Sequence, residues 1–293
     1  MTTPRRWSAA RARMAMYASL RRYFDDAGYL EVETPCLVPA AGMEPHIDPF
    51  EVEFVPQTGV GVRRTMYLQT SPEYAMKRLL ASRSPPIFQI CKTFRNGEIS
   101  KSHNPEFTML EFYRPNADYM SVMADLEQAL SRVEKAIAPS SRSFSHLPWE
   151  RLTVRDAMLR YANIDVFEHD DGPKLRRAAE AAGIHVGTST EFDDVFFHIF
   201  LERVESKLGW DRPTFLIEYP ASMASLARLK ASDTRVAERV ELYIRGVELA
   251  NGFSELTDAD EQRRRLLEEQ ALRLRQGRMV PPIDEAFLEA VGR

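Results

Sequence analysis

Cysteine, histidine, a dominant charge sign and long apolar runs are all scarce in this chain, and each scarcity removes a class of protein. The two cysteines, Cys36 and Cys91, both lie in apolar, strand-like surroundings. Buried free thiols are therefore expected rather than a disulfide. The six histidines form no HExxH pattern and pair with no CxxC, so a structural zinc site is not expected. No signal-peptide pattern and no long apolar span occurs, which makes a cytoplasmic protein without a membrane segment the expectation. Basic and acidic side chains nearly balance, at 39 and 43, for a net charge of −4. That balance gives no support for a strongly basic nucleic-acid binder, a local patch aside. There is no internal repeat and no low-complexity linker. What is present is an ordinary globular composition, 44% hydrophobic and 28% charged, over a length that allows one large domain or two small ones.

The densest chemistry lies between Phe94 and Pro115, in FRNGEISKSHNPEFTMLEFYRP. An apolar run from Ile87 to Phe94 reads as a buried strand, and Phe107 to Tyr113 reads as a second. The polar stretch between them carries Arg95, Asn96, Glu98, Lys101, His103 and Asn104. Hairpin loops are normally short, and long loops that persist tend to be functional. Alternation along the second strand places Phe107, Glu111 and Tyr113 on one face. An aromatic plate, a carboxylate and a phenol beside a guanidinium-bearing loop suit a nucleotide together with a cationic small molecule.

Elsewhere the pattern is mainly structural. Residues 7–27 carry a helical stripe of Trp7, Ala10, Met14, Tyr17 and Phe24, stopped by Asp25, Asp26 and Gly28 and followed by a short strand from Tyr29 to Glu33. By itself this reads as a surface helix packed on a sheet. Phe50–Phe54 reads as a half-buried strand and Met66–Gln69 as another. Ser71, Pro72 and Glu73 then open a helix through Leu80, with Ser71 as N-cap, Pro72 at the first helical position and Glu73/Lys77 as an i,i+4 pair. Residues 118–137 form a helix with the stripe Met123, Leu126, Leu130, Val133 and Ile137, and residues 139–148 a loop. Residues 153–209 read as mostly helical, with Phe196, Phe200, Val204 and Leu208 on one face and no evident chemistry. A strand follows within 213–220.

A second chemical stretch, RVAERVELYIRGVELANGFSE, runs from Arg235 to Glu255. Val240, Leu242 and Ile244 share one face of a strand, and Arg239, Glu241 and Tyr243 the other. A two-residue turn at Arg245-Gly246 would set Tyr243 opposite Glu248 and Glu241 opposite Ala250, with Glu241 and Glu248 as diagonal neighbours. Two such carboxylates need a cation between them. Pairing with an arginine is the structural account, and magnesium bridging a triphosphate is the functional one. Asn251, Phe253 and Glu255 have the other parity, and a bulge at Gly252 would bring them onto the Glu248 face.

The segment FRN…HNPEFTMLEFY resembles motif 2 of the class II lysyl-tRNA synthetases, and RRYFDDAGYLEVETP resembles their motif 1, the helix and strand of the homodimer interface. The resemblance implies an α+β fold, a mostly antiparallel sheet flanked by helices. It implies ATP and Mg²⁺ as cofactors, with Arg95 bridging the α-phosphate and the substrate carboxylate. Phe107 would stack on adenine, and His103 and Asn104 would shape the nucleotide loop. Glu98 would stand in for the acidic residue that the family has directly after the asparagine, where this chain has Gly97. The SPE segment would line the amino-acid pocket through Ser71 and Glu73. ERVELYIRGVELANGFSELTDADEQ is similar to the family segment that supplies metal-binding glutamates and the lysine pocket. Glu241 and Glu248 would hold magnesium, and Asn251, Phe253 and Glu255 would contact substrate. Glu111, Tyr113 and Glu255 would surround its ammonium, which needs charged or hydrogen-bonding partners once buried.

Bacterial lysyl-tRNA synthetases carry an anticodon-binding OB domain before motif 1, whereas here motif 1 begins within the first few residues. The layout resembles the shortened paralogues that activate (R)-β-lysine and transfer it to a lysine of elongation factor P. One catalytic domain over residues 1–293 is expected, with a helical insertion at about 150–210. No motif 3 follows the helix expected at Asp284–Val291, and truncation is the expected reason. The expected activity is ATP-dependent ligation of (R)-β-lysine or lysine to elongation factor P by a homodimer, with tRNA not expected as acceptor. Two alternatives stay open: a stand-alone domain acylating tRNA, and a silent dimeric paralogue that binds a ligand or partner.

Overall fold

The structure, a computed structural model, describes residues 3–44, 46–57, 61–81, 83–101, 103–138, 144 and 147–293. Most of the loop expected at 139–148 lies outside the described residues. In chain order the elements are α1 (Thr3–Asp26), β1 (Leu30–Glu31), β2 (Leu37–Val38), β3 (Glu51–Phe54), β4 (Arg64–Leu68), α2 (Glu73–Leu80), β5 (Ile87–Phe94) and β6 (Glu106–Tyr113). Then come α3 (Tyr119–Ile137), β7 (Glu150–Thr153), α4 (Val154–Ala162), α5 (Gly172–Ala181), α6 (Phe192–Ile199), β8 (Thr214–Pro220), β9 (Leu229–Lys230), β10 (Asp233–Ile244), β11 (Val247–Phe253), α7 (Ala259–Arg275) and α8 (Glu285–Val291). Among the described residues no helix is long and apolar enough to cross a membrane. Two compact units result, Met1–Tyr23 with Ala117–Glu255, and Phe24–Asn116 with Leu256–Arg293.

In the first unit the sheet order is β11-β10-β8-β7, with β9 also on β10. The pairs are antiparallel except β7 with β8. The expected stripe Phe196, Phe200, Val204 and Leu208 is buried against Leu216, Tyr219 and Tyr243 of the sheet. A chain rich in Val, Phe and Leu at helical spacing buries that stripe because removing apolar surface from water is its main stabilising term. Asp118 caps α3 by accepting from the Ser121 amide, and the Tyr23 hydroxyl donates to Asp125 at 2.7 Å. Leu208 and Gly209 receive the β10–β11 turn, their carbonyls accepting from the Gly246 and Arg245 amides at 2.8 Å each.

The second unit holds two three-stranded sheets, β1-β5-β6 and β2-β4-β3. Phe24, fully buried, meets Tyr29, Phe88 and Phe112 at ring-centroid distances of 5.0, 4.8 and 5.1 Å. This aromatic cluster covers one face of the β5–β6 hairpin and leaves the Glu111 face for other work. Helix α8 lies on α2 through the Tyr74–Phe287 stack at 4.1 Å and the Arg78–Asp284 ion pair at 2.8 Å. Arg273 of α7 is fully buried. Its guanidinium donates to the carbonyls of Glu44, Ile47 and Met279 at 2.6, 2.9 and 2.7 Å and pairs with Asp48 at 2.5 Å. This arginine ties down Glu44, Ile47 and Asp48, and the Asp48 carbonyl accepts from the Asn96 amide at 2.7 Å.

Several expectations change. Trp7 and Met14, expected on the packed stripe of α1, are 62% and 68% exposed, and burial begins at Leu20, Tyr23 and Phe24. β3 is an edge strand and mostly exposed rather than half-buried. Both cysteines are free, but Cys36 is exposed and Cys91 only partly covered. Cys36 immediately precedes the edge strand β2, where one side of the sheet has no neighbouring strand.

Gly209 has φ +73°, and a Cβ there would sit 2.3 Å from the Tyr243 carbonyl oxygen. Gly209→Ala is expected to destabilise the first unit by about 2–4 kcal/mol, read as a lowered urea midpoint with an unchanged m-value.

Candidate active site

The β5–β6 ladder is regular throughout, with Gln89 opposite Glu111, Thr93 opposite Phe107 and Ile87 opposite Tyr113. Directly opposed residues share a face, so Phe107, Met109, Glu111 and Tyr113 stand with Ile87, Gln89, Cys91 and Thr93, as the alternation predicts. The long loop is organised by its own bonds. The Arg95 amide donates to the Pro105 carbonyl at 2.9 Å, and the Ser100 hydroxyl meets His103 Nδ1 at 2.9 Å and accepts from the His103 amide at 3.0 Å. Gly97, at φ +83°, turns the chain where a side chain would strain it. The Arg95 guanidinium lies over the Phe107 ring at 5.2 Å, and its Nη1 is 3.8 Å from Glu98. Arg95, Glu98 and Phe107 are thus brought together, and Glu98 reaches the arginine despite standing after the glycine. His103 and Asn104 are exposed on the loop.

Around Glu111 the side chains interlock. The Ser71 hydroxyl donates to Glu111 Oε2 at 2.8 Å and accepts from the Glu73 amide at 3.1 Å. The Tyr113 hydroxyl donates to Glu111 Oε1 at 2.6 Å. Lys77 Nζ pairs with Glu73 Oε1 at 2.6 Å, both side chains largely buried. Helix α2 begins at Glu73 with Pro72 in the cap position, one residue later than expected. The Ser71 hydroxyl is thereby shared between the helix start and Glu111. Burial, and then the nearby Glu73 carboxylate, push the Glu111 carboxyl up to about 7, while Tyr113, Ser71 and Lys77 pull it down. Burial likewise raises the Cys91 thiol to about 11, which makes it a poor nucleophile near neutrality. Sequence reasoning missed the buried polar row on this face. Gln89 and Thr93 are 2% and 0% exposed, and Gln69 sends its amide to the Lys92 carbonyl at 2.9 Å and towards both thiols. Their strand positions were legible, but nothing in a polar residue's type says that it is buried.

On the β10–β11 hairpin, Arg245 and Gly246 have φ +54° and +71°, the left-handed pair that a two-residue turn needs. Tyr243 faces Glu248 as expected, but Glu241 faces Asn251 rather than Ala250. The ladder slips between Leu242 and Tyr243, so the bulge falls at Leu249 and not at Gly252. A bulge costs least where the extra side chain can point into water, and Leu249 is 55% exposed. Gly252 stays in register because a Cβ there would sit 3.2 Å from Val122 of α3. The slip brings Arg239, Glu241, Tyr243, Glu248, Asn251 and Phe253 onto one face. Glu255 lies just beyond, in an isolated bridge with Ala227.

Glu241 is 6% exposed. Its Oε1 takes Arg239 at 2.7 Å, and its Oε2 accepts from the Tyr219 and Tyr243 hydroxyls. Arg239 also donates to Asn251 Oδ1 at 3.2 Å and the Met223 carbonyl at 2.9 Å, and lies over Tyr219 at 4.6 Å. The arginine pairing left open by the sequence is therefore present. Among the described residues no group of three or more His, Cys, Asp or Glu could hold a metal ion. The hard oxygens of Glu241 and Glu248 suit magnesium brought in on phosphates, which needs few protein ligands, and do not suit an all-protein cage.

A sequence model of the family described as "tRNA synthetases class II (D, K and N)" matches residues 1–292. The chain belongs to this class II tRNA synthetase family. Within it, the chain is 43% identical over 282 residues to the elongation factor P–(R)-β-lysine ligase of Salmonella typhi, covering 95% of this chain and 83% of that one. It is 43% identical over 281 residues to the ligase of the same name from Pectobacterium atrosepticum, with the same coverage. The Salmonella typhimurium ligase is 42% identical over 282 residues, again covering 95% and 83%. The class II member described here is thus an enzyme, a ligase, with the α+β synthetase fold.

Removing the cation from a buried carboxylate is expensive. Arg239→Met is expected to cost about 3–5 kcal/mol of stability, and adding Glu241→Gln is expected to recover part of that loss, both read from urea denaturation of the purified variants.

Proposed function

We propose that this chain uses ATP to activate (R)-β-lysine or lysine as an aminoacyl-adenylate and transfers it to a lysine side chain of elongation factor P. The observation that carries the reading is the largely buried Glu111 carboxylate, oriented by Ser71 and Tyr113 as a receptor for an ammonium. A charge held in that way selects an amino acid with a cationic end over apolar analogues. The name of the relatives supports the acceptor.

In this reading a carboxylate oxygen of the amino acid attacks the α-phosphorus of ATP, the bond to the bridging oxygen breaks, and pyrophosphate leaves. The nucleophile is already ionised, so no general base is needed, and catalysis is positioning with charge stabilisation. Arg95 bridges the α-phosphate and the carboxylate, since a guanidinium donates two parallel bonds. Phe107 takes adenine on the ring that also meets Arg95, with Glu98, His103 and Asn104 shaping the nucleotide loop. Glu241 and Glu248 would hold magnesium, which would neutralise phosphate charge. Ser71, Glu73, Glu111 and Tyr113 of the second unit contact the amino acid. The acceptor amine then attacks the carbonyl carbon and AMP departs. The protein works in the cytoplasm as a homodimer, for which the exposed Trp7 and Met14 of α1 offer apolar surface.

Labelled (R)-β-lysine or L-lysine, offered with ATP to elongation factor P and to tRNA, tests the reading: label belongs on elongation factor P, and label on tRNA alone would refute it. Arg95→Ala should abolish ATP–pyrophosphate exchange while the dimer persists in sedimentation. Glu111 must lose its proton to receive an ammonium, so amino-acid affinity should rise with pH and be half-changed near pH 7. Glu111→Gln should remove that dependence and weaken binding about 100-fold, measured by calorimetry. In the unliganded enzyme the same raised group stabilises the fold fully below its usual 4.5, an advantage lost as pH rises through about 7.

A further inference from the structure

Helix α2 carries an ammonium of its own into the cluster around Glu111. Lys77 is 8% exposed, and its Nζ lies 2.6 Å from Glu73 Oε1 and 5.9 Å from the ring centroids of both Tyr113 and Phe287. An exposed i,i+4 pair is a minor, solvent-screened contact. This one is enclosed by the two rings, so its charges act on their neighbours at low dielectric. The titratable groups that face Glu111 are Glu73 and Lys77 of α2, Tyr113 of its own strand and, from β5, Cys91. Glu269 of α7 also acts on Glu73, but burial pushes its carboxyl up to about 8, so it keeps its proton near neutrality; Glu73, Glu111 and Lys77 then carry a single negative charge when all three are ionised. That is the charge one substrate ammonium cancels. Without Lys77, two adjacent carboxylates would remain, and such a pair holds a proton or admits a second cation.

We propose that Lys77 is a specificity-determining residue for the amino-acid substrate: a built-in counter-ion that cancels Glu73 and leaves Glu111 as the carboxylate the substrate ammonium must meet. The inference rests on the reading that this cluster receives a lysine-like amino acid. Glu73 keeps Oε2 for a hydrogen bond to the substrate, but its net charge is already answered from within the fold.

Two measurements on the full chain separate this inference from that reading. Titration of the Glu111 carboxyl by ¹³C NMR, without substrate, reports the charge logic alone. Lys77→Met should raise its midpoint by about one pH unit, and Glu73→Gln should shift it the opposite way, downward. Glu73→Gln with Lys77→Met, which restores the single negative charge, should return it to the wild-type value, and Lys77→Arg should leave it in place. Calorimetric binding of (R)-β-lysine and L-lysine to the same proteins should follow the midpoints, with Lys77→Met binding about fivefold more weakly at pH 7. An unmoved midpoint in both Lys77→Met and Glu73→Gln, or a double variant that fails to restore it, overturns the role of Lys77. If Lys77→Met does not fold, the downward shift in Glu73→Gln and its reversal in the double variant decide the matter. Midpoints that move as expected in a protein that binds neither amino acid would instead overturn the substrate reading and leave the counter-ion role standing.

Discussion

The two-residue period of the β5–β6 ladder sorts the hairpin's side chains into an aromatic face and a polar face, and the second unit depends on that separation. Phe88 and Phe112 go into the cluster with Phe24 and Tyr29, and their burial holds the hairpin rigid. Gln89, Cys91, Glu111 and Tyr113 are committed to the other side by the same alternation. A slip of one residue would exchange the faces, putting a carboxylate into the aromatic core. The placement of Glu111 and Tyr113 is therefore precise to the extent that the apolar packing behind it is.

Buried charge is the second organising constraint. Each buried or nearly buried ionic group described above is met by a partner built into its own unit: Glu73 by Lys77, Glu241 by Arg239 and two phenols, Arg273 by three carbonyls and Asp48. An ionic group taken out of water is tolerable only when its attraction and hydrogen bonds are supplied locally. Those partners shape function as well as stability. The Arg239 contact and two phenols take up much of the bonding capacity of Glu241. The Lys77 contact lowers the net charge of a cluster that would otherwise carry two carboxylates.

Much of this was legible in the sequence because it follows from short-range periodicity. The strands at Ile87–Phe94 and Phe107–Tyr113, the common face of Phe107, Glu111 and Tyr113, the Glu73/Lys77 spacing and the Arg245-Gly246 turn are all local patterns. The bulge was less accessible. Parity showed that Asn251 and Phe253 needed one extra residue to join the Glu241 face, and glycine was the obvious place for it. Packing against Val122 keeps Gly252 regular, and the exposed Leu249 absorbs the slip instead. The exposure of Trp7, Met14 and Cys36 was illegible for a related reason, since an apolar residue in a good pattern does not report whether anything covers it.

By itself, then, the sequence determined the element types, the facing of side chains along each strand and the residues that mark a class II synthetase, because these depend on neighbours a few positions apart. Only the tertiary structure decided which charges distant in sequence cancel and how deeply each pair is buried. Arg239 meets groups on three strands, Glu241, Tyr219 and Asn251, and Arg273 reaches Glu44, Ile47 and Asp48 from more than two hundred residues away. Coulomb attraction and desolvation act through distance in space, and distance along the chain carries almost no information about that once the chain has folded.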